Sequence, residues 1–400
     1  MRIAIFDYQV KRTNPIGGCH LRMLRALAYE HDFTVFSVAF DNPCPERIKW
    51  VRVPAPARPL ALLFVAYHIL APIAYWLHRR KTGERFDLVQ TVESNLSFGT
   101  IAYSHFCHTS YLKNHWSKTR TAGLRGLLRW LDHRLHALLE GRVYASVKQI
   151  LAPSKGLAEE LRNEFPVAAS KIRVLPNAVD VGPLERPSSF DRDRFRTELG
   201  IGAADVVFVF AALGHFERKG LPLLLAALAR VESSAAKLLV VGGTPDLIES
   251  YRAKISDLGL TRRVLLVGMQ SDVRPYLWAS DAFALASTYE TFSLVAFEAA
   301  AASLPLLTPR LHGIEEIAVD GETGYIVNRT VEDFAAALGR FVALPERRRI
   351  EMGKRARAAA MAYDEARFVA NWRGFYKDWM AGVPGAGIRE SSPQSVETLS

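Results

Sequence analysis

Cysteine is scarce in this chain, with three residues, Cys19, Cys44 and Cys107, among 400. An odd, widely spaced trio without a C-x-x-C pair excludes a disulfide framework and a cysteine-based zinc site, and it suits a reducing cytoplasm. Acidic charge is also short, 41 Asp and Glu against 51 Lys and Arg. Long apolar runs are rarer still. Residues 60–77 form one, whereas the apolar part of Met1–Asp7 is too short for a secretory signal and reads as a first strand. No dense basic run or nucleic-acid motif accompanies the positive charge, so no nucleic-acid partner is expected.

What is present is the composition of a soluble globular protein, 49% hydrophobic and 23% charged, with length for two or three domains. The excess charge is uneven. Residues 1–180 carry 25 Lys and Arg against 14 Asp and Glu, and the remainder carries 26 against 27. A basic first half and a neutral second half imply that an anionic surface or acceptor meets the first half.

Compact apolar runs without alternation read as buried parallel strands. In the first half they are 3–6, 33–38, 48–53, 87–91, 101–104, 149–152 and 172–175; in the second they are 206–210, 237–241, 263–267, 282–286, 304–308 and 325–327. Helical patterns alternate with them. The expected fold is α/β, two doubly wound Rossmann-like domains facing across a cleft. The expected boundaries are 1–180, 181–364, a helix near 365–382 returning to the first domain, and a disordered tail at 383–400. Helical periodicity is read across 331–363 as one stretch.

Two readings fit the 60–77 run. It is a buried or surface-docked crossover helix, or a helix lying in a membrane interface with His78, Arg79, Arg80 and Lys81 at the headgroups. Pro72 and His68 argue against a spanning segment. A basic helical region over 113–142, with Lys113, Lys118, Arg120, Arg125, Arg129, Arg134 and Arg142, is either a solvated face or a surface for anionic lipid.

The richest stretch runs from Ser287 through Tyr289, Glu290, Thr291, Phe292, Ser293 and Leu294 to Glu298. A strand precedes it and a helix starts near 291–293, where unpaired N–H groups favour an anion. Acids on either side of that helix start suit a ligand with central phosphates and hydroxyl-bearing rings at both ends. Upstream, Gly214-His215-Phe216-Glu217-Arg218-Lys219-Gly220 ends another strand, and its two cations suit a diphosphate. Gly17 and Gly18 after the first strand are either a phosphate approach or ordinary turn residues. Gly268 at a further strand end lines a base pocket or is an ordinary turn. His105 and His108 follow a strand facing the cleft and are structural or touch substrate. Asp191-Arg192-Asp193 has the D-x-D spacing of metal-dependent sugar transferases, but it lies in the linker. With no carboxylate–histidine cluster visible elsewhere, no essential metal or other cofactor is expected.

These elements, Glu290-x7-Glu298 above all, together with Arg218-Lys219-Gly220, Gly17-Gly18, Phe106-Cys107-His108-Thr109-Ser110, Pro176-Asn177 and Asp320-Gly-Glu-Thr-Gly324, resemble the family 4 retaining glycosyltransferases of the GT-B type. The resemblance covers the chain to about Met380. It implies that Glu290 holds donor-sugar hydroxyls, that the N–H groups of Phe292 to Leu294 hold a diphosphate, and that Glu298 binds the ribose. Arg218 and Lys219 would neutralise the leaving group, and His108 would stand near the sugar's reacting face. Many relatives carry Arg where this chain has His215, which shifts the cationic role onto Arg218 and Lys219. The implied activity is transfer from a UDP- or GDP-sugar to a glycan or lipid-linked acceptor, with retention, in cell-surface polysaccharide, lipopolysaccharide or glycolipid synthesis. The implied location is cytoplasmic, peripheral on the inner membrane face. No well-placed carboxylate is visible in the first half for a covalent nucleophile, so front-face attack is expected. A sugar-nucleotide epimerase, a phosphorylase and a non-catalytic nucleotide-sugar-binding protein are the rival readings.

Overall fold

A computed structural model describes residues 1–119 and 123–382. The tail expected at 383–400, and Arg120 of the basic region, lie outside the described residues.

The first half contains β1 (Arg2–Phe6), β2 (Gln9–Val10), α1 (Pro15–Leu27), β3 (Asp32–Ser37), β4 (Ala39–Phe40), β5 (Lys49–Arg52) and α2 (Leu60–Thr82). It continues with β6 (Leu88–Val92), β7 (Ile101–Tyr103), α3 (His108–Asn114), α4 (Trp116–Thr119), α5 (Gly123–Ser146), β8 (Gln149–Ala152), α6 (Lys155–Glu164) and β9 (Ile172–Val174). Seven of these strands form one parallel sheet in the order β5-β3-β1-β6-β7-β8-β9, while β2 and β4 pair separately. Burial on both faces explains why the runs in β1, β6, β7 and β8 lack alternation.

The second half comprises α7 (Arg192–Glu198), β10 (Val206–Ala211), α8 (Phe216–Lys219), α9 (Leu221–Ala229), β11 (Ala236–Val241), α10 (Pro245–Asp257) and β12 (Val264–Gly268). After these come α11 (Arg274–Ala279), β13 (Ala282–Ala284), α12 (Leu294–Ala301), β14 (Leu306–Thr308), β15 (Gly324–Ile326), α13 (Val331–Ala343), α14 (Glu346–Ala360) and α15 (Glu365–Met380). Its six parallel strands run β12-β11-β10-β13-β14-β15. The strand order reverses at β1/β6 in one sheet and at β10/β13 in the other. The loops after those strands therefore form the crevices where doubly wound sheets take ligands.

The last helix, α15, crosses back to the first sheet. Phe368, Trp372, Phe375 and Tyr376 are buried in one cluster with Ile3, Ile5, Leu24 and Phe33. Two helical readings need correction. The stretch 331–363 is two helices, because Leu344-Pro345 stops α13 and Pro345 caps α14. The basic region also breaks at His115, between α3 and α4.

Helix α2 passes Pro72 without ending. One face, with Ala61, Leu63, Phe64, Tyr67 and Ala71, is buried against the first sheet, and the Tyr67 hydroxyl donates to the Phe36 carbonyl at 2.6 Å. Its length and apolarity would allow it to cross a membrane, but this docking ties it to the domain. The opposite face exposes Leu62, Val65, Ile69, Ile73 and Trp76.

Candidate functional site

The two loops at the β10/β13 reversal are built onto each other. At Gly220 φ is +83°, and a Cβ there would stand 2.0 Å from the Ala286 carbonyl oxygen, so only glycine lets the α8 turn press on the end of β13. The Thr288 N–H and hydroxyl both donate to the Arg218 carbonyl at 3.0 Å, fixing the cationic turn under the acidic loop. Lys219 Nζ then reaches Glu290 Oε1 at 2.6 Å, and the Ser287 hydroxyl donates to the same oxygen at 2.6 Å. Glu290 is 7% exposed. Burial pushes its carboxyl up, but Lys219, Arg218 and the Ser287 bond together hold it below its usual value.

Beyond Glu290 the backbone turns into α12 through Ser293, at φ 61°. Among the described residues, the N–H groups of Thr291 to Leu294 donate to no protein acceptor, and the Ser293 hydroxyl is buried without a partner. A cluster of uncommitted donors at a helix start is an anion receptor. Glu298 lies on the same helix, where burial lifts its carboxyl above the ordinary range and Arg22 of α1 opposes that shift.

His215 sits between β10 and α8. Partial desolvation and the nearby charges of Arg129, Arg218 and Lys219 hold its imidazole below its usual value. It therefore adds no cation of its own to the crevice. Arg129 of α5 supplies positive charge from the first domain instead.

On that side, His108 opens α3. Its N–H donates to Glu140 Oε1 at 2.7 Å, and the Thr109 N–H and hydroxyl donate to Glu140 Oε2 at 2.8 and 2.7 Å. A buried carboxylate thus caps the helix and fixes His108 in place. Glu93, at φ 48° just past β6, meets His108 Nε2 at 3.3 Å. Burial lowers the His108 imidazole pKa, but the Glu93 bond and charge raise it above its usual value.

The two halves close through the acidic loop. Thr291 Oγ1 donates to the His105 carbonyl and Ser154 Oγ to the Thr291 carbonyl, both at 2.7 Å. The Tyr289 hydroxyl donates to Glu160 Oε2 at 2.8 Å, and its ring lies 4.9 Å from Phe106. These contacts bring the strand-end segment at 105–108 against the loop that carries Glu290.

Arg218, Lys219, Glu290, Thr291, Phe292, Ser293 and Leu294 therefore lie together at the β10/β13 crevice, while Glu298 lies further along α12 and His108 opens α3, next to the 105–106 segment that the Glu290 loop touches. Gly214 lies in the same β10 loop, and Gly268 ends β12, two strands or about 10 Å from β10. Gly17 and Gly18 belong to the first domain. They lie inside the first turn of α1, where Asn14 accepts from Ile16 and Gly17 through its side chain and from Gly18 through its carbonyl. Their N–H groups are taken, and a Cβ on Gly17 would come within 2.7 Å of the Gln9 oxygen, a packing reason for glycine. Asp191 is the N-cap of α7, bonded to the Arg194 N–H.

Sequence reasoning found no carboxylate–histidine cluster and did not single out Glu93, the first-half carboxylate beside His108. The fold brings Glu93, His108 and His136 together from three elements separated in the chain. Tyr289, Glu140 and Arg22 were also missed. Only the fold reveals their partners.

Residues 20–182 match the model for Glycosyltransferase Family 4, and residues 204–343 match that for Glycosyl transferases group 1. The chain belongs to glycosyltransferase family 4. Its architecture is GT-B. It is 25% identical over 296 residues to an uncharacterized glycosyltransferase, MJ1607, of Methanocaldococcus jannaschii, covering 72% of this chain and 74% of that one. Against several other curated relatives the glycosyltransferase spans only about half of their length. WaaG, a glycosyltransferase involved in lipopolysaccharide biosynthesis, superposes with a TM-score of 0.73 at 18% identity, over 93% of this chain and 98% of WaaG. Anabaena HepE in complex with UDP and glucose superposes with a TM-score of 0.69 at 18% identity, over 94% of this chain and all of that one.

Proposed function

We propose that this glycosyltransferase moves a sugar from a nucleoside diphosphate-sugar to an acceptor hydroxyl bound by the first domain, with retention of configuration. The observation that carries the reading is the buried Lys219–Glu290–Ser287 constellation beneath the uncommitted N–H groups of α12. Glu290 takes the donor-sugar hydroxyls, the start of α12 takes the diphosphate, and Glu298 takes the ribose. Cleaving the sugar–phosphate bond develops negative charge on the diphosphate, which Arg218, Lys219 and the preorganised N–H dipoles stabilise. Side-chain cations meet that charge, so the reading requires no divalent ion there. HepE, bound to UDP and glucose in the same fold, supports a UDP-sugar donor.

His108 stands at the reacting face, and the acceptor attacks from the side on which the diphosphate leaves. Glu93 is engaged with His108 Nε2 and acts as its orienting partner rather than as a nucleophile. The acceptor is a glycan or lipid-linked saccharide of cell-surface polysaccharide, lipopolysaccharide or glycolipid synthesis, a setting that WaaG's role in lipopolysaccharide biosynthesis favours. The exposed apolar face of α2, with Arg79 and Arg80 beyond it, and exposed Leu124, Leu127, Trp130 and Leu131 on α5 seat the first domain on an anionic inner membrane face.

The test is release of nucleoside diphosphate from a panel of UDP-, GDP- and ADP-sugars, with and without a lipid-linked saccharide. Acceptor-stimulated release from one donor is expected. Release of an epimerised free sugar without any acceptor would favour the epimerase reading instead.

A further inference from the structure

Helix α5 is built inside out. Leu124, Leu127, Leu131 and Leu138 are exposed on it, whereas Asp132, His136 and Glu140, one turn apart, form its inward stripe. A helix packed for stability alone turns its apolar side to the core. Glu140 is spent on the start of α3 and His136 on Ser94. Asp132, 13% exposed, is spent on nothing: among the described residues its carboxyl accepts no hydrogen bond.

The stripe meets the crevice at the β1/β6 reversal, the end of the first sheet where a doubly wound fold takes a ligand. His136 is the hub. Its Nδ1 meets the Ser94 hydroxyl, just past β6, at 2.9 Å, and its ring stacks on His108 with centroids 4.2 Å apart and 13° between planes. Burial above all holds its imidazole well below the usual range, so it is neutral near pH 7. Asp132 Oδ1 stands 3.9 Å from His136 Nε2, too far for a hydrogen bond and with no charge opposite it on that ring. Burial pushes the Asp132 carboxyl up to about 6; Glu93 adds to the shift, and His108 and Arg129 oppose it.

Tyr8, two residues past β1, brings its ring to 6.3 Å from His136, edge-on, and its hydroxyl is buried without a partner. Burial, then Tyr67, Asp132 and Glu93, raise that hydroxyl well above its ordinary value, so it keeps its proton and is a donor. Asn95, next to Ser94, has a buried amide oxygen that is also unpartnered. Unsatisfied groups of this kind cost stability, and their gathering at a ligand-taking sheet end calls for a partner from outside the chain. A phenol donor, an amide oxygen and a carboxylate match hydroxyl groups, which both donate and accept. They do not match an anion. Glu93 is engaged with His108, which leaves the Asp132 charge open to repel one.

We infer that Tyr8, Asn95 and Asp132 set acceptor specificity, selecting an acceptor that ends in a neutral, hydroxyl-bearing sugar and rejecting one that ends in a uronate or phosphate. Asp132 accepts from one acceptor hydroxyl and Tyr8 donates to another. The inference rests on the transfer reaction proposed above. Asp132 is faced by Tyr8 past β1, Glu93 past β6, His108 of α3 and Arg129 and His136 of α5, with His68 of α2 beside His136. Because the ionised carboxylate is the acceptor of the bond, KM for the sugar falls as pH rises through about 6.

The test has two arms on the full chain. Without acceptor, Tyr8→Phe and Asp132→Asn are melted at neutral pH. Neither removes a bond that the chain makes, so both are expected to hold or raise the melting temperature, Asp132→Asn because a carboxyl kept above its usual range opposes folding once ionised. A fall in either variant shows the group satisfied within the chain and overturns the inference. In the second arm, acceptor KM is measured with octyl glycosides ending in neutral sugars and with the matching octyl uronides. The wild type is expected to favour the neutral member at least about tenfold. Tyr8→Phe is expected to raise KM for it about 3- to 10-fold and Asp132→Asn about 10- to 100-fold, as for bonds to neutral and charged groups. Asp132→Asn is also expected to narrow the neutral-to-uronide ratio and to flatten the pH dependence of KM, which a structural role would not do. Equal use of both members by the wild type, or an unchanged KM and ratio in both variants, as for a space that holds an ordered water only, overturns it. Nucleoside diphosphate release that no acceptor stimulates counts against transfer itself and removes the acceptor role with it, whereas the melting arm is read without any acceptor.

Discussion

Replacing Lys219 by Met tests the crevice at its most connected point. The substitution keeps the side chain's bulk and removes the ammonium 2.6 Å from Glu290, whose carboxylate is 7% exposed. Breaking a buried pair by removing one partner costs about 3–5 kcal/mol, since the other charge is left uncompensated. Here the Ser287 bond and the Arg218 charge remain, so the lower end, about 3 kcal/mol, is expected. At about 2–4 °C per kcal/mol for a domain of this size, melting falls by about 6–12 °C. Adding Glu290→Gln removes the stranded charge and restores much of the melting temperature but none of the turnover, because the diphosphate still lacks its cation. The sign with pH follows from the depressed Glu290 value. The pair's stabilisation is present above the ordinary carboxylate range and is lost as pH falls through the lowered one, so the Lys219→Met deficit shrinks in acid. Melting curves at neutral and acid pH, with donor turnover, decide the matter. A Lys219→Met protein as stable and as active as the wild type would refute the reasoning, as would a double variant with full activity.

Gly220→Ala puts a methyl group 2.0 Å from the Ala286 carbonyl oxygen, at a φ that alone costs alanine about 1–2 kcal/mol. Circular dichroism melting is expected to fall, with loss of donor binding. Glu140→Ala strands two backbone N–H groups at the start of α3, each worth about 1–3 kcal/mol, and is expected to lower first-domain stability by about 3 kcal/mol in denaturant titration. Arg79→Ala with Arg80→Ala removes two cations at the end of α2, worth about 1 kcal/mol each near an anionic bilayer. Sedimentation with phosphatidylserine-containing vesicles is expected to weaken about thirtyfold, with equal recovery on neutral vesicles counting against the membrane face.

The parallel strands were legible because burial on both faces leaves an unbroken apolar run, as in β1 and β10. Helix limits were less so. Pro345 interrupts a periodicity that continues on both sides of it, and a pattern count over 331–363 passes through the break. The donor side was readable since Arg218-Lys219, on the short helix α8 after β10, and Glu290, on the loop after β13, both follow neighbouring strand ends, where topology alone joins them. The first-domain side was not. Glu93, His108 and His136 are 15 and 28 residues apart in sequence, and only the packing of α3 and α5 beside β6 assembles them. Gly17 has a packing reason of its own, its close approach to Gln9, and the sequence does not separate that reason from a phosphate role.

The donor assignment is tested most directly by melting the intact protein against UDP-, GDP- and ADP-sugars. A donor at about 100 times its Kd stabilises by about 2.7 kcal/mol, which raises the melting temperature by about 5–10 °C. One nucleotide-sugar class is expected to give that shift in the wild type and to lose it in Lys219→Met. No shift with any of them at millimolar concentration would contradict a nucleotide-sugar site between Lys219, Glu290 and the start of α12.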